Sequence, residues 1–215
     1  MIYLLSPLKK EGSIHLPMIH FTLLESSLDF SQCDTLMFTS KEAVKSAELL
    51  NSDWKNIPCL AIGSATAKEI ESLGGKVLYQ PKQFYGKTLS EDILRLFKEK
   101  HILYLRPQVV SFDAKTFLRK AGLRIEEKMI YKTSCMDYSD DDKPLQNAII
   151  IFTSPSTIKC FFKNFQWDES YTAVVIGEAT KEHLHKNITV EVAEKPLIDS
   201  CISKAREILL TSNSK

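Results

Sequence analysis

The sequence contains few of the residues that mark common nucleotide-binding and hydrolytic sites. Only seven glycines occur in 215 residues, and no GxGxxG motif, phosphate-binding P-loop or GxSxG nucleophile turn is present. Each of these motifs places a backbone turn or a nucleophile that its chemistry requires. Their absence argues against dinucleotide binding, phosphate-loop hydrolysis and serine hydrolysis of the nucleophile-elbow type.

Cysteine and histidine are present but follow no metal-binding pattern. His183 and His185 lie two apart on a predicted helix and so point in different directions, unlike paired metal ligands. The cysteines are odd in number, far apart and never in a CxxC spacing, which argues against a disulfide framework or a zinc site and indicates a reducing compartment. They are Cys33, Cys59, Cys135, Cys160 and Cys201. We therefore expect no metal.

Neither a long apolar run nor an excess of one charge is present. No stretch approaches the length of a membrane span, and the N-terminal MIYLLSPLKK carries its lysines after the apolar residues, the reverse of a signal peptide. The 28 basic and 27 acidic residues give a net charge of +1, which disfavours binding to nucleic acid or a membrane surface. We expect a cytoplasmic protein that binds any anion locally.

Short apolar, β-branched runs alternate with amphipathic stretches along the chain. The runs are IYLL, TLMF, LAI, KVLY, ILYL, RIEEKMIY, AIIIF, AVVI and TVEV. Such alternation predicts an α/β fold with parallel sheets and crossover helices. Between Leu36 and Ile125, five strand candidates with four interleaved helices are enough for a complete doubly wound lobe.

The chain also contains one long internal repeat. FTSKEAV and FTSPSTI are offset by 114 residues (152 − 38), and AIGSATAKEI is matched by VIGEATKEHL at the same offset. The identities cluster at two turns instead of spreading along the segment. A duplication of this length predicts two lobes rather than a solenoid, whose repeats are shorter.

The two lobes are not expected to be simple halves of the chain. Only three strand candidates follow Ala148, so the N-terminal IYLL run is predicted to complete the second sheet. A thin linker between the lobes would let them rotate, and the acidic stretch 137–144 is expected to be an exposed loop. The predicted organisation is a discontinuous lobe of residues 1–16 and 136–215, an inserted lobe of residues 25–126, and a two-stranded β linker of residues 17–24 and 127–135.

The repeated turns carry the candidate binding residues. Each turn follows an apolar strand and leads into a helix, which places it at the carboxyl end of the strands, where open α/β sheets bind ligands. A hydroxyl and free N–H groups at a helix N-terminus bind anions, so two facing rims would suit a ligand with several carboxylates or phosphates. The candidates are Thr39, Ser40, Gly63 and Thr66 in one copy and Thr153, Ser154, Gly177 and Thr180 in the other.

The same residues have a purely structural interpretation. Serine and threonine are favoured N-caps, and a duplicated fold could retain them for stability alone. Thr66 with Glu69 and Thr88 with Glu91 have capping-box spacing, and Ser154 precedes a proline at a predicted first helical position. The match at all four turns favours a binding rim.

A further set of motifs occurs in a characteristic order. It comprises FTSKEAV, the G-x-x-T-A pattern in AIGSATAKEI, ILYLR followed by a helix and Gly122, then IYKT, FTSPSTI and VIGEAT. In this order and spacing the chain resembles uroporphyrinogen-III synthase over nearly its whole length. The resemblance implies two α/β lobes joined by a two-stranded ladder. One departure is LSPLKKEGSIHLP, a poor helix where family members usually carry one.

The resemblance also implies an activity, the cofactor-independent cyclisation of hydroxymethylbilane to uroporphyrinogen III with loss of water and inversion of the last pyrrole ring. The acetate and propionate groups of that linear tetrapyrrole would occupy the anion-binding turns. Tyr131, at the position of the family's tyrosine in IYKT, is the candidate general acid, although a half-buried linker aromatic is the competing interpretation. We expect a monomer that receives its substrate from hydroxymethylbilane synthase.

Two other classes of function stay open. A bilobal protein could bind a small polyanionic ligand without any chemistry, although that class usually carries a signal peptide or an output domain. A glycosyltransferase or epimerase could also use a two-lobed cleft. Its expected glycine-rich turn or acid pair is absent from this sequence.

Overall fold

The computed structural model describes residues 1–83 and 85–212. The chain divides into two compact units, the first made of Met1–His20 and Thr133–Lys215 and the second of Phe21–Lys132. The first unit is thus discontinuous in sequence, with the second inserted into it.

Each predicted strand run forms a strand within the described residues. The strand Ile19–Leu23 lies in the β segment predicted at residues 17–24, and one further short strand, Ile14–His15, appears near the N-terminus. The strands are β1 (Ile2–Leu4), β2 (Ile14–His15), β3 (Ile19–Leu23), β4 (Thr35–Phe38), β5 (Cys59–Ala61), β6 (Val77–Tyr79), β7 (His101–Pro107), β8 (Arg124–Cys135), β9 (Ile149–Phe152), β10 (Thr172–Val175) and β11 (Val190–Val192).

Helices follow most of these strands. They are α1 (Lys41–Leu50), α2 (Ser64–Ser72), α3 (Gly86–Leu96), α4 (Ala114–Lys120), α5 (Pro155–Asn164), α6 (Glu178–Lys181) and α7 (Ile198–Ser212). Short 3-10 turns form at Ser52–Asn56 and at Asp140–Asp142, within the predicted acidic loop. In this part of the chain no helix has both the length and the apolar character that a membrane span requires.

The first unit contains a parallel sheet in the order β11-β10-β9-β1-β2. The N-terminal run joins this sheet as predicted, with Leu4 of β1 opposite Ile151 of β9. Helix α7 packs Cys201 and Ala205 against one face of the sheet. No helix forms between β1 and β2 in the described residues.

The second unit has six strands in the order β3-β8-β7-β4-β5-β6, and β8 to β6 are parallel. Successive residues of a strand point to opposite faces. Phe38 accordingly packs with α1 and α2 on one face, and Met37 packs with α3 and α4 on the other. This doubly wound arrangement confirms the predicted α/β class with parallel sheets.

Two helix starts differ from the capping-box prediction. Helix α2 begins after Gly63, so Thr66 is its third residue and not its N-cap, and α3 begins after Tyr85, which makes Thr88 its third residue. Glycine and tyrosine therefore occupy the cap positions without a side-chain hydrogen bond.

The expectation of unpaired cysteines is wrong for one pair. Cys135, the last residue of β8, forms a disulfide with Cys160 in α5, across a sequence separation of 25. Cys33, Cys59 and Cys201 are free. A spacing rule could not find this pair because a strand and a helix bring the two residues together in space.

Candidate active site

The carboxyl end of β4 in the second unit presents two adjacent hydroxyl side chains. Thr39 and Ser40 follow the fully buried β4, and Ser40 is the N-cap of α1, where its Oγ accepts a hydrogen bond from the Ala43 N–H at 3.0 Å. Strand β4 leads to β5 on one side and lies beside β7 on the other. At such a switch in strand order, open α/β sheets form a ligand-binding crevice.

Ser40 contacts the predicted catalytic tyrosine. The Tyr131 hydroxyl lies 2.9 Å from Ser40 Oγ, and either hydroxyl can donate the hydrogen bond. The residues are 91 positions apart and meet because the end of β8 passes the end of β7, with Tyr131 opposite Pro107. Two of the predicted site residues are thus in direct contact.

Tyr131 lies in an apolar environment. Its side chain is 4% exposed, and its ring packs edge-to-face against Phe21 with 5.7 Å between ring centroids. Desolvation by this burial raises the pKa of the Tyr131 phenol above its ordinary value, although the Ser40 hydrogen bond opposes the shift. The phenol is therefore protonated throughout the neutral range and can act as a donor.

Thr39 makes the corresponding contact on the opposite face of the sheet. Its Oγ1 lies 2.8 Å from the hydroxyl of Tyr104, which is in β7 and only 2% exposed. Burial also raises the pKa of Tyr104. The sequence prediction missed Tyr104, which reads as an ordinary strand residue in ILYL. The one feature of the sequence that could have identified Tyr104 was its polar hydroxyl in an otherwise aliphatic run.

An ion pair lies beside Tyr104. Arg106 contacts Glu127 through Nε at 2.8 Å and through Nη2 at 3.1 Å, and Lys115 Nζ is 3.6 Å from the same carboxylate. The Arg106 hydrogen bond holds the pKa of Glu127 below its usual value. The Asp113 carboxylate also interacts electrostatically with Arg106 and Lys115, so two cations are balanced by two carboxylates.

Gly63 and Thr66 occupy the turn after β5. Gly63 is the N-cap of α2 in extended backbone, so its conformation does not require glycine, and the Thr66 side chain is buried at the third helical position. Within residues 1–83 and 85–212, the Thr66 hydroxyl has no hydrogen-bonding partner. In the described residues, every fully buried side-chain oxygen has a hydrogen-bonding partner. Because the Thr66 hydroxyl has none, it is not fully buried and keeps some access to solvent.

The first unit repeats these positions. Ser154 caps α5 in a reciprocal capping box with Thr157, and Pro155 is the first helical residue, as predicted. Gly177 is the N-cap of α6, and Thr180 is buried at the third helical position. Thr153, which follows β9 directly, has no side-chain hydrogen bond to another described residue.

The histidines and acidic residues do not form a metal site. Among the described residues, no group of three or more His, Cys, Asp or Glu side chains is arranged to hold a metal ion. His185 instead packs edge-to-face against Phe162. The polar groups of the candidate site are hydroxyls, phenols and helix N-termini. Hydroxyls and helix N-termini can bind carboxylates, and a phenol can donate a proton.

Comparisons with known proteins place the chain among uroporphyrinogen-III synthases. The chain is similar over 96% of its length to a uroporphyrinogen-III synthetase from Helicobacter pylori 26695, with 28% identity, a TM-score of 0.79 and 98% of that chain covered. Two structures from the extreme thermophile Thermus thermophilus, a mutant and the wild-type uroporphyrinogen III synthase, share the fold at 11% and 12% identity, with TM-scores of 0.57 and 0.53 and 98% coverage of each chain.

The comparison with curated proteins gave no match. The family model described as uroporphyrinogen-III synthase HemD matches residues 9–203, which is most of the chain. The chain belongs to the uroporphyrinogen-III synthase family.

Proposed function

We propose that this chain closes hydroxymethylbilane by holding it on hydroxyl-bearing turns and protonating its leaving group from Tyr131. Membership in the family makes the chain an enzyme of tetrapyrrole biosynthesis that cyclises this substrate to uroporphyrinogen III. The observation that carries the proposed roles is the contact between the buried Tyr131 phenol and Ser40, the cap of a helix at the sheet's carboxyl edge.

Substrate binding is assigned to the repeated turns. Each side chain of the tetrapyrrole ends in a carboxylate, and a helix N-terminus offers N–H donors with a favourable dipole for such a group. We assign this role to Thr39, Ser40, Gly63 and Thr66 in the second unit and to Thr153, Ser154, Gly177 and Thr180 in the first. The accessible hydroxyls of Thr66 and Thr180 support the assignment, since neither is used by a partner in the described protein.

Catalysis begins with loss of the terminal hydroxyl group. The pyrrole nitrogen pushes electrons toward the hydroxymethyl carbon, the C–O bond breaks, and Tyr131 donates a proton so that water leaves. The substituted carbon of the last ring then forms a bond to the terminal methylene carbon and becomes a spiro centre, because it still carries its bridge to the third ring. The bond from that carbon to the bridging methylene breaks, and the bridging methylene bonds instead to the free carbon of the last ring, which inverts the ring. The hydrogen on that free carbon leaves as a proton, which restores the aromatic pyrrole and returns to the Tyr131 phenolate, so that substrate gives product plus water.

Positioning decides which isomer forms. Attack by the free carbon of the last ring would give the symmetric isomer I, whereas attack by the substituted carbon gives isomer III. Holding the reacting carbons in one arrangement contributes to the rate as an effective concentration, and exclusion of water assists it. A cofactor-independent enzyme built from binding turns and one proton donor is sufficient for this task.

Several finer predictions belong to the same proposal. Residues 17–24 and 127–135 would form the β linker between lobes 1–16 with 136–215 and 25–126. The working unit would be a monomer in the cytoplasm that receives hydroxymethylbilane from its synthase. The adjacency of β3 and β8 in one sheet supports the linker.

The test is the isomer distribution of porphyrins after the purified chain is added to freshly generated hydroxymethylbilane. The products are oxidised and separated by chromatography. We expect isomer III to dominate over the spontaneous isomer I. An unchanged excess of isomer I from folded protein would overturn the proposal and favour a binding protein for a polyanionic ligand.

A further inference from the structure

A pocket opens on the α3/α4 face of the second unit, above the carboxyl ends of β4 and β7. Its volume is about 180 Å³, and its lining includes Thr39, Tyr104 and Phe112. A protein cavity of about 150 Å³ is large enough to hold benzene. The pocket therefore has room for one five-membered aromatic ring.

The walls of this pocket combine apolar and polar surface in similar amounts. Met37 in β4, Ile62 just after β5, and Val110 and Phe112 in the loop after β7 supply the apolar surface. Small-molecule sites combine apolar surface with placed polar groups that fix the orientation of the ligand. An aromatic ring with a polar substituent would match both kinds of surface.

Phe112 is held in a fixed position on one side. A Cβ on Gly86, the first residue of α3, would lie 3.2 Å from the Cβ of Phe112, so a larger residue at this position would press against the aromatic side chain. The Phe112 ring also packs against Phe117 with 5.6 Å between centroids. The Phe112 side chain is thus packed closely by Gly86 and Phe117.

The polar groups of the pocket suit a carboxylate. The Thr39 and Tyr104 hydroxyls form its polar side, and Gly86 lies at the N-terminus of an 11-residue helix. Arg106 and Lys115 beside Tyr104 are balanced by the carboxylates of Glu127 and Asp113, so charge does not decide the ligand. A carboxylate on the bound ring would instead accept hydrogen bonds from the two hydroxyls.

We propose that this hollow, the Thr39–Tyr104 pocket, binds one pyrrole ring of the linear tetrapyrrole together with a carboxylate side chain of that ring. The inference rests on the proposed function. It adds Tyr104 and Phe112 to the substrate-binding residues and assigns to them the placement of a single ring.

The test is an NMR titration of the full-length chain with ¹³C-methyl labels on methionine and isoleucine. The probe is a monocyclic pyrrole that carries one acetate and one propionate group, and an aliphatic dicarboxylate without the ring serves as the ligand control. We expect saturable shifts of the Met37 and Ile62 methyl signals with the pyrrole and much weaker binding of the aliphatic acid.

Two matched pairs of variants locate the binding. Tyr104→Phe removes only the hydroxyl and is expected to weaken pyrrole binding about tenfold, as for loss of a hydrogen bond to a charged group, while Tyr79→Phe in the same unit leaves it unchanged. Phe112→Leu removes the aromatic wall and is expected to weaken binding about fivefold, whereas Phe97→Leu does not.

The outcomes separate this proposal from the proposed function. Absence of shifts at Met37 and Ile62, or equal affinity of Tyr104→Phe and the original chain, would overturn the pocket assignment even if isomer III is formed. Shifts at both methyl groups that Tyr104→Phe weakens support the pocket. If the chain showed these methyl shifts and yet produced only isomer I, the proposed cyclisation would be overturned, but the pocket assignment would still be supported.

Discussion

The two units carry matching turns that differ in their partners. In the second unit, Thr39 and Ser40 each contact a buried tyrosine, at 2.8 and 2.9 Å. In the first unit, Ser154 forms a capping box with its own helix. The position that Tyr104 occupies beside Met37 of β4 is taken in the first unit by Leu4 beside Ile151 of β9.

This difference shows how one duplicated turn can serve two purposes. A cap closed on its own helix stabilises the fold and leaves backbone N–H groups for an anion. A cap that also holds a phenol positions a proton donor. In our proposal, the second unit therefore carries the acid chemistry and the first unit contributes substrate binding. The units also differ in their cysteines, because the disulfide between Cys135 and Cys160 lies in the first unit and the cysteines of the second unit are free.

Breaking the disulfide is expected to have the largest effect on stability and to act on the first unit alone. Cys160→Ser removes a link across 25 residues, and chain entropy predicts a loss of about 3.5 kcal/mol. Native-state hydrogen exchange should show faster exchange for amides of β9 and β10 and no change in β4 and β7. Cys33→Ser in the second unit is the control, and equal changes in both units would contradict the prediction.

Removing the phenol of the second unit is expected to have the largest effect on activity. Tyr131→Phe should lower kcat about 100-fold, the lower range for loss of a general acid, with little change in the melting temperature. Tyr138→Phe in the first unit removes a hydroxyl that only donates to the Pro17 carbonyl and should leave kcat unchanged. Unaltered turnover by Tyr131→Phe at saturating and limiting substrate would remove Tyr131 from the mechanism.

The two buried threonines should behave alike, because both are third helical residues behind a glycine cap. Thr66→Ala and Thr180→Ala are each expected to raise KM about tenfold through loss of one hydrogen bond to a carboxylate. Neither residue is an N-cap, so the loss of one buried methyl group should lower the melting temperature by only a few degrees. Thr88→Ala, at the equivalent position of α3, is the control. A change in melting temperature alone would favour a structural role.

Substitution of the two N-cap serines should have the same effect on stability but different effects on catalysis. Ser40→Ala and Ser154→Ala each remove an N-cap, and each should cost about 1 kcal/mol of stability by chemical unfolding. Only Ser40→Ala also removes the partner of Tyr131, so it alone should lower kcat. Equal kinetic effects of the two variants would contradict the division of roles between the units.

The smallest expected effect is on stability at high pH. Burial raises the pKa of Tyr131, so its contribution to stability is fully present below pH about 10, the ordinary tyrosine value, and is lost as pH rises through the folded-state pKa. Unfolding of the original chain should therefore become easier above this pH, and Tyr131→Phe should show a smaller decline. An identical decline in both proteins would contradict the assignment.

Much of the fold could be predicted because its signals are local. Each of the runs that read as strands forms one, and the offset of the repeat placed Ser40 and Ser154 correctly at helix caps. Helix starts were less certain. Thr66 and Thr88 have the residue type and spacing of caps, yet each helix begins earlier, so that both threonines are third helical residues.

The sequence by itself determined the α/β class, the duplication and the family, since strand and helix periods and motif order are written along the chain. Only the tertiary structure decided that Tyr131 meets Ser40, that Tyr104 meets Thr39, and that Cys135 meets Cys160. These partners are separated by 91, 65 and 25 residues. Their contacts depend on strand order and register, which are set by burial of the whole sheet and by no local pattern.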